Sequence, residues 1–238
     1  MPLTGFTDIK HAFYINLEHR TDRNEHVLEQ LTNLGLPNVE RFNAIKMENG
    51  AIGCSMSHLK ILQHAYQNNL DHILIVEDDI TFLNLDLFKA NFDTFLQRNG
   101  SNWDVILLAG NNMPPYDKVD DVCIKVKRCQ TTTGYLVNGP YIKKLMENVK
   151  MGLTQLLHKP VSHAMYAIDK FWFVLQAVDK WFLIIPPTVI QREDYSDIEK
   201  KRTNYQKCMT DLDKKDLFDS IARARQQNNL GKMMNYKS

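Results

Sequence analysis

The feature that most constrains the fold of this chain is an aliphatic run that ends in three acidic residues, HILIVEDDI at residues 72–80. A strand with one face in water alternates apolar and polar side chains, but here every residue from Ile73 to Val76 is apolar. The run therefore predicts a strand that is covered on both faces of a sheet. Similar buried strands are predicted at residues 11–17 and 103–110.

Helical patterns lie between these predicted strands. Apolar residues recur at helical spacing from Asp22 until Gly35 ends the pattern, and again over residues 57–69 and 87–96. Alternation of strands and helices is typical of an α/β fold with a mostly parallel central sheet. We therefore predict this fold class.

The second half of the chain departs from strict alternation. Residues 122–126 and 131–137 predict an antiparallel pair of strands. Helices are predicted over residues 140–148 and 167–178, where apolar side chains again recur at helical spacing.

The domain organisation follows from the length and from a change in composition near residue 206. A chain of 238 residues is long enough for one large α/β domain with its own core. From residue 206 onward the chain is charged, with one amphipathic helix that includes Leu217, Phe218 and Ile221. We predict a principal domain at residues 1–205 and a C-terminal helical tail at residues 206–238.

The composition excludes some classes of partner. The hydrophobic fraction is 44%, the charged fraction 24% and the formal net charge +1, all ordinary for a soluble globular protein. A net charge near zero gives no electrostatic reason to expect a nucleic acid or an anionic membrane as partner. The apolar runs are far shorter than the ~20 residues that span a bilayer, so no membrane span is predicted.

Neither the N-terminus nor the cysteines indicate export. The first residues lack a basic segment followed by an uninterrupted apolar one, which a secretory signal would have. The four cysteines have no spacing typical of a zinc site and indicate free thiols in a reducing compartment, with a Cys123–Cys129 bridge left open. We expect a cytoplasmic protein, either complete or a domain of a longer chain.

The acidic triplet lies where an α/β protein binds ligands, because such sites form at the carboxyl ends of the strands. Side chains alternate along a strand, so Glu77 and Asp79 are expected on one side and Asp78 on the other. Two carboxylates that converge on one point suit Mg²⁺ or Mn²⁺, which prefer oxygen ligands. The triplet taken alone is also compatible with a solvated strand end.

Two classes of phosphate-handling protein share part of this pattern. A phosphorelay receiver domain begins with a strand like ILIVEDD, but Ala109 stands where its phosphoacceptor aspartate would be needed. A haloacid-dehalogenase-like phosphatase would have to use Glu77 as its nucleophile, which is a longer side chain than the aspartate it requires. The sequence therefore argues against both classes.

Several motifs together resemble glycosyltransferase family 25, the group that contains lipooligosaccharide and procollagen galactosyltransferases. In chain order they are FYINLEHRTDRNEHV (13–27), GCSMSHLKIL (53–62), ILIVEDDI (73–80), WDVILLAG (103–110), TTTGYLVNGPYIKKLM (131–146), IDKFWF (168–173) and IIPPTVIQREDYSDIE (184–199). The resemblance covers roughly residues 11–200. No single motif identifies the family, but their order along the chain is specific.

This resemblance implies a GT-A-like nucleotide-sugar-binding fold and an inverting transfer reaction. A hexose, galactose or glucose, would pass from a UDP-sugar to a hydroxyl of a glycan or of a collagen-like hydroxylysine. Glu77 and Asp79 would hold Mn²⁺ or Mg²⁺ on the donor diphosphate. No histidine follows His163, so water and phosphate oxygens would complete the coordination. The alternative is a catalytically idle member that binds a nucleotide sugar or a partner and has lost charged site residues.

The resemblance also implies which residues contact the donor. Arg20 and Arg23 would bind the diphosphate, since a guanidinium makes bidentate phosphate contacts that a lysine cannot. The start of the helix at Ser57 and His58 would lie beside the donor, as helix N-termini favour phosphate. The complete predicted set of donor contacts is Asn16, Leu17, Arg20, Arg23, Ser57, His58, Asp78 and Gln191, with Ser196 and Asp197 near Gln191.

An inverting transferase needs a base that takes the proton of the acceptor hydroxyl as this hydroxyl attacks the anomeric carbon. We predict Asp169 for this role. It is an acidic residue within the otherwise apolar helical pattern of residues 166–178, where a charge is hard to explain by packing alone. An aspartate that merely stabilises a helix N-terminus is the alternative explanation.

Overall fold

A computed structural model describes residues 3–36, 38–196, 201–221 and 223 of the chain. The strands are β1 (Ala12–Asn16), β2 (Glu40–Asn43), β3 (His72–Glu77), β4 (Ile80–Phe82), β5 (Val105–Leu107), β6 (Asn111–Asn112), β7 (Asp117–Lys118), β8 (Cys123–Lys125), β9 (Cys129–Gln130), β10 (Gly134–Asn138), β11 (Trp181–Ile184), β12 (Val189–Gln191), β13 (Asp194–Ser196) and β14 (Lys201–Thr203). The helices are α1 (Thr21–Leu34), α2 (Gly50–Gln67), α3 (Leu85–Asn99), α4 (Gly139–His158), α5 (His163–Tyr166), α6 (Ile168–Phe171), α7 (Phe173–Gln176) and α8 (Gln206–Thr210).

The main sheet has eight strands in the order β2-β1-β3-β10-β5-β11-β8-β7. β1 runs parallel to β2 and β3, and β11 runs parallel to β5. β10 is antiparallel to both of its neighbours, and so is β8. Within the described residues, β10 and β8 therefore run against the other six strands. The predicted α/β architecture with a mostly parallel central sheet, as expected of a GT-A-like fold, is confirmed.

The central strand β3 is buried on both faces, as its aliphatic run predicts. Ile73 and Ile75 belong to a core layer that includes α2 and α4. Leu74 and Val76 point to the opposite layer, which includes α1 and α3. The alternation of side chains along one strand thus distributes its four aliphatic residues between the two cores.

Helix α2 begins at Gly50, so the predicted helix start at Ser57 is wrong. The side chain of Asn49 caps the helix by accepting hydrogen bonds from the backbone N–H groups of Ala51 and Ile52. A Cβ at Gly53 would lie 2.4 Å from the carbonyl oxygen of Ile45, so the glycine lets α2 approach the preceding loop closely. This tertiary contact accounts for a glycine in the first turns of α2.

The predicted antiparallel pair of residues 122–126 and 131–137 does not form. β8 pairs with β11 and β7, whereas β10 lies between β3 and β5, two strands away from β8. The two segments are close in sequence, but their apolar side chains are buried against distant parts of the chain. Pairing between distant strands leaves no local signal in a sequence.

The predicted helix at residues 167–178 is divided into the short helices α6 and α7, with Trp172 between them. Trp172 is completely buried, and its Nε1 donates a hydrogen bond to the carbonyl oxygen of Cys129 at 2.9 Å. Asp169 consequently lies in the first turn of a short helix. It does not lie inside a long apolar one.

Other expectations concern the cysteines, the membrane and the tail. All four cysteines lie within the described residues and are free, so the bridge left open between Cys123 and Cys129 is absent. No helix in the described part of the chain has the length and hydropathy required to cross a bilayer. Met209 of α8 is buried against the main core, and residues 224–238 of the predicted tail lie outside the described residues.

We predict that Asn49→Ala lowers the free energy of unfolding by about 1 kcal/mol, because the first turn of α2 loses its cap. The measurement is chemical denaturation followed by circular dichroism. Gln67→Ala, at an exposed position near the other end of α2, is the control and should change stability by much less. Equal stability of Asn49→Ala and the native protein would contradict a helix that begins at Gly50.

Candidate donor and metal site

A cavity of about 410 Å³ opens at the carboxyl ends of β1 and β3. Parallel strands end at the same edge of a sheet, and loops that follow them meet there. The predicted site residues that line this cavity are Leu17, Arg20, Arg23, Ser57, His58, Glu77, Asp78, Asp79 and Gln191. Asn16 and Asp169 are not among the lining residues. The structure thus brings most of the predicted set together in one place.

Arg23 is the cation nearest to the acidic triplet. Its Nη1 lies 2.9 Å from Asp78 Oδ1 and 3.4 Å from Asp79 Oδ2, while its Nε lies 2.9 Å from Asp194 Oδ2. Arg20 Nη2 binds the same oxygen of Asp194 at 2.6 Å. Burial opposes the charge of Arg23, but the charges of Asp79 and Asp78 outweigh it and raise the pKa of Arg23.

The negative charge of Asp79 is only partly balanced by the cations around it. Burial and then the nearby charge of Glu77 raise the pKa of Asp79 to about 8, against the influence of Arg23. Its Oδ1 is buried and has no hydrogen-bond partner within the described residues. A buried carboxylate oxygen without a partner is costly, and a cation is the partner that would suit both Asp79 and the neighbouring Glu77.

Glu77 lies in a network of polar side chains. Its Oε1 accepts a hydrogen bond from Thr132 Oγ1 at 2.7 Å and lies 3.4 Å from His58 Nε2. The same oxygen lies 3.6 Å from Cys54 Sγ, and Gln191 Nε2 donates to Oε2 at 3.2 Å. Burial acts to raise the pKa of Glu77, but the hydrogen bonds from His58 and Thr132 outweigh it and lower the pKa.

Asp78 turns away from Glu77 and towards the end of β1. Asn16 Nδ2 donates to Asp78 Oδ2 at 2.8 Å and also to the carbonyl oxygen of Arg20 at 3.0 Å. Burial raises the pKa of Asp78 in spite of Arg23 and Asn16. The amide of Asn16 therefore joins the acidic turn to the turn that carries the arginines.

Ser57 and His58 lie in the middle of α2, where their side chains bind other parts of the protein. Ser57 Oγ donates to the carbonyl oxygen of Gly53 and accepts from the backbone N–H of Ile45, each at 2.8 Å. His58 Nδ1 lies 2.8 Å from the hydroxyl of Tyr135. Ser57 thus anchors the loop of residues 44–48, which forms one wall of the cavity.

Asp169 does not line the cavity, but it interacts electrostatically with Glu77. Its Oδ2 accepts a hydrogen bond from the backbone N–H of Thr131 at 3.1 Å. Burial raises the pKa of Asp169, and the charge of Glu77 adds to this effect, against the influence of Lys170. The charge of Asp169 in turn contributes to the raised pKa of Cys54, after burial and Glu77.

Sequence reasoning missed three residues that shape this site, namely Asp194, Cys54 and Thr132. Asp194 could have been found from the two arginines three residues apart, which need a shared carboxylate, and from the acidic segment after Gln191. Cys54 and His58 are four residues apart and therefore on one face of a helix. Thr132 gave no signal, because only the pairing of β10 with β3 brings it to Glu77. Asp197 lies outside the described residues.

Comparison with known sequences identifies the family. Residues 44–165 match the profile described as "Glycosyltransferase family 25 (LPS biosynthesis protein)", and this segment is more than half of the chain. The chain belongs to glycosyltransferase family 25. The predicted resemblance is therefore confirmed, and sugar transfer is the general class of activity that the family supports.

Two relatives illustrate how much of the family this chain covers. A "Glycosyltransferase 25 family member" from Anopheles gambiae is 26% identical in an alignment of 170 residues that covers 58% of this chain and 28% of the relative. A "Procollagen lysyl hydroxylase and glycosyltransferase" from Acanthamoeba polyphaga mimivirus is 28% identical in an alignment of 124 residues that covers 48% of this chain and 14% of the relative. The chain matches less than a third of the length of either relative.

Solved structures resemble this fold only distantly. A glycosyltransferase involved in the glycosylation of the major capsid of PBCV-1 is 13% identical, covers 74% of this chain and 92% of its own, and has a TM-score of 0.38. A similarity at this level supports no inference about function.

We predict that Asp79→Asn stabilises the protein in the presence of a metal chelator, and more so near pH 8 than near pH 5. Between its usual pKa of 3.8 and the raised value of about 8, Asp79 keeps its proton in the folded state and loses it in the unfolded state. Stability therefore falls as the pH rises through this range, and an asparagine removes this loss. The advantage should be larger near pH 8 by at least about 1 kcal/mol.

Denaturant unfolding at the two pH values measures this difference. Glu29→Gln replaces an exposed acid in the middle of α1 and should change stability little at either pH. A destabilising effect of Asp79→Asn that is the same at both pH values would contradict the burial of an ionisable, uncompensated carboxyl group.

Proposed function

We propose that this chain is a metal-dependent glycosyltransferase that moves a hexose, galactose or glucose, from a UDP-sugar to a hydroxyl acceptor with inversion. The observation that carries the proposal is the pairing of Glu77 and Asp79 beside two arginines in one cavity, with a buried oxygen of Asp79 that has no partner in the described part of the chain. Negative carboxylates and positive guanidinium groups together suit a ligand that contains both a divalent cation and a diphosphate.

Glu77 and Asp79 would hold Mn²⁺ or Mg²⁺. When bound, this metal neutralises charge on the donor diphosphate and on the departing UDP. Gln191 Nε2 donates to Glu77 Oε2, and Arg23 Nη1 lies 3.4 Å from Asp79 Oδ2, so each carboxylate is oriented by a neighbour. The bond from Thr132 fixes the other oxygen of Glu77. These contacts keep the two metal-binding groups in place before any ligand arrives.

Arg20 and Arg23 would bind the diphosphate. Both guanidinium groups are anchored by Asp194, and Arg23 is also anchored by Asp78, so their positions are set without a ligand. Side chains that are already ordered lose less entropy when they bind. Leu17 and Asn16 lie at the end of β1, where the uracil or the ribose of the donor would fit beside the arginine turn.

Asp169 is our proposed general base. A base must accept a proton near the working pH, and burial raises the pKa of Asp169 from the ordinary range of a carboxyl group towards that pH. In an inverting reaction the base would have to lie on the face of the sugar opposite the UDP, and we assign Asp169 to that face. One oxygen of Asp169 is held by the backbone N–H of Thr131.

The acceptor class is proposed from the relatives. The mimivirus relative is named for glycosyl transfer and for hydroxylation of procollagen lysine, and the matching profile is named for lipopolysaccharide biosynthesis. A hydroxylysine and a glycan hydroxyl are accordingly the two acceptors to test. The alternative function is an idle member that only binds a nucleotide sugar. The presence of all the charged site residues favours a working enzyme.

We predict that Mn²⁺ and UDP together raise the thermal midpoint of the native protein, since ligands that bind only the folded state stabilise it. Asp79→Asn should weaken this joint binding by at least about 10-fold, because one metal-binding carboxylate is lost. Thermal-shift titration gives the apparent affinities. Asp86→Asn, at an exposed acid in the first turn of α3, should respond like the native protein. Equal shifts in all three proteins would contradict the proposed metal site.

We also predict that Asp169→Asn slows UDP-sugar hydrolysis by about 10²-fold or more while the affinity for UDP and Mn²⁺ stays nearly unchanged. Water takes the place of the acceptor hydroxyl in this assay. Asp179→Asn is the control, because Asp179 binds Tyr141 and Lys144 outside the cavity. If Asp169→Asn hydrolyses UDP-sugar at the native rate, the base is another residue. If the native protein hydrolyses none of the UDP-sugars, the idle alternative is favoured.

A further inference from the structure

The side chains of Cys54, His58 and Glu77 form a cluster whose ligand atoms all lie within 4.8 Å of one another. Cys54 and His58 project from successive turns of α2, and Glu77 lies at the end of β3. All three line the cavity. A thiol, an imidazole and a carboxylate differ from the all-oxygen ligands that Mn²⁺ or Mg²⁺ prefers, and this mixture is typical of zinc.

The distances within the cluster match a tetrahedral ion. Zinc binds sulfur at about 2.3 Å and nitrogen or oxygen at about 2.1 Å, so tetrahedral geometry separates sulfur from oxygen by about 3.6 Å and nitrogen from oxygen by about 3.4 Å. The observed separations from Glu77 Oε1 are 3.6 Å to Cys54 Sγ and 3.4 Å to His58 Nε2. Two edges of the tetrahedron are therefore already formed.

Neighbouring groups hold these ligands in place. His58 Nδ1, the ring nitrogen that would not bind the ion, lies 2.8 Å from the hydroxyl of Tyr135. Thr132 Oγ1 donates to Glu77 Oε1 at 2.7 Å. Hydrogen bonds to the outer side of metal ligands orient them and strengthen binding. The fourth tetrahedral position would face the cavity, as in zinc sites that keep one position for water or another small ligand.

We propose that Cys54, His58 and Glu77 form a binding site for Zn²⁺, in addition to the metal site of Glu77 and Asp79. The two sites share Glu77. An ion held by Cys54 and His58 would take Oε1 of this carboxylate and would place a second positive charge beside the donor metal, so we expect zinc to weaken binding of the donor metal. Only this competition rests on the proposed function, whereas the zinc site itself does not.

The test uses Co²⁺ as a spectroscopic probe with the full, metal-free and reduced chain and no nucleotide. We expect one equivalent of Co²⁺ to give the near-ultraviolet band of a cobalt–thiolate bond, and one equivalent of Zn²⁺ to remove it. Cys54→Ser should abolish the band and weaken zinc binding by at least about 10-fold. Cys208→Ser, at the other half-buried thiol, should keep the band.

The thermal midpoints of both serine variants, measured without metal, show whether each is folded. His58→Gln provides a second loss of one ligand and should weaken Co²⁺ binding while the thiolate band stays. A native protein without the thiolate band, or a folded Cys54→Ser protein that keeps it, would overturn the proposed site.

The competition between the two metals is tested in a separate experiment, which follows the binding of Mn²⁺ in the presence of UDP. We expect one equivalent of Zn²⁺ to release bound Mn²⁺, detected as the electron paramagnetic resonance signal of the free ion, and to release less in Cys54→Ser. Retention of Mn²⁺ at a zinc concentration that removes the cobalt band completely would contradict the competition. Absence of Mn²⁺ binding together with a normal cobalt band would contradict the proposed function and leave the zinc site standing.

Discussion

The guanidinium group of Arg23 binds Asp78, Asp79 and Asp194 at the same time, and the local structure depends on this interaction. Adjacent carboxylates at a buried strand end repel one another and lose hydration, so they need a cation in contact. Arg23 comes from α1 and Asp194 from β13, and both residues line the cavity. One side chain therefore joins the first helix, the acidic turn and the distal part of the domain.

Much of the fold followed from local sequence patterns. The strand of residues 72–80 was recognisable because aliphatic residues in every position require burial on both faces, and α1 was recognisable from its apolar spacing and its glycine end. The predicted start of α2 is wrong. Glycine lowers helix propensity, but Gly53 lies in α2 because only a residue without a side chain allows the close backbone contact with Ile45. The predicted pairing of β8 with β10 is wrong because the observed partners of these two strands include strands that are distant in sequence.

The candidate site was predictable where topology alone brings residues together. Residues that follow β1 and β3 meet at one edge because the two strands are parallel neighbours, which accounts for Arg20, Arg23 and the acidic triplet. The partner of the arginines, Asp194, and the partner of Glu77, Thr132, come from segments more than fifty residues away. Such contacts depend on tertiary packing, and a single sequence holds no periodic signal for them.

The anchoring of Arg20 and Arg23 on carboxylates would have a consequence for the order in which the proposed ligands enter. A bare divalent cation that approaches Asp79 meets the positive charge of Arg23, and a bare diphosphate that approaches the arginines meets the negative charges of Asp78 and Asp194. Each ion alone would disturb these ion pairs. Under the proposed function, a metal–nucleotide complex carries charges of both signs and would fit both halves of the cavity, so entry of the preformed complex would be favoured over stepwise loading.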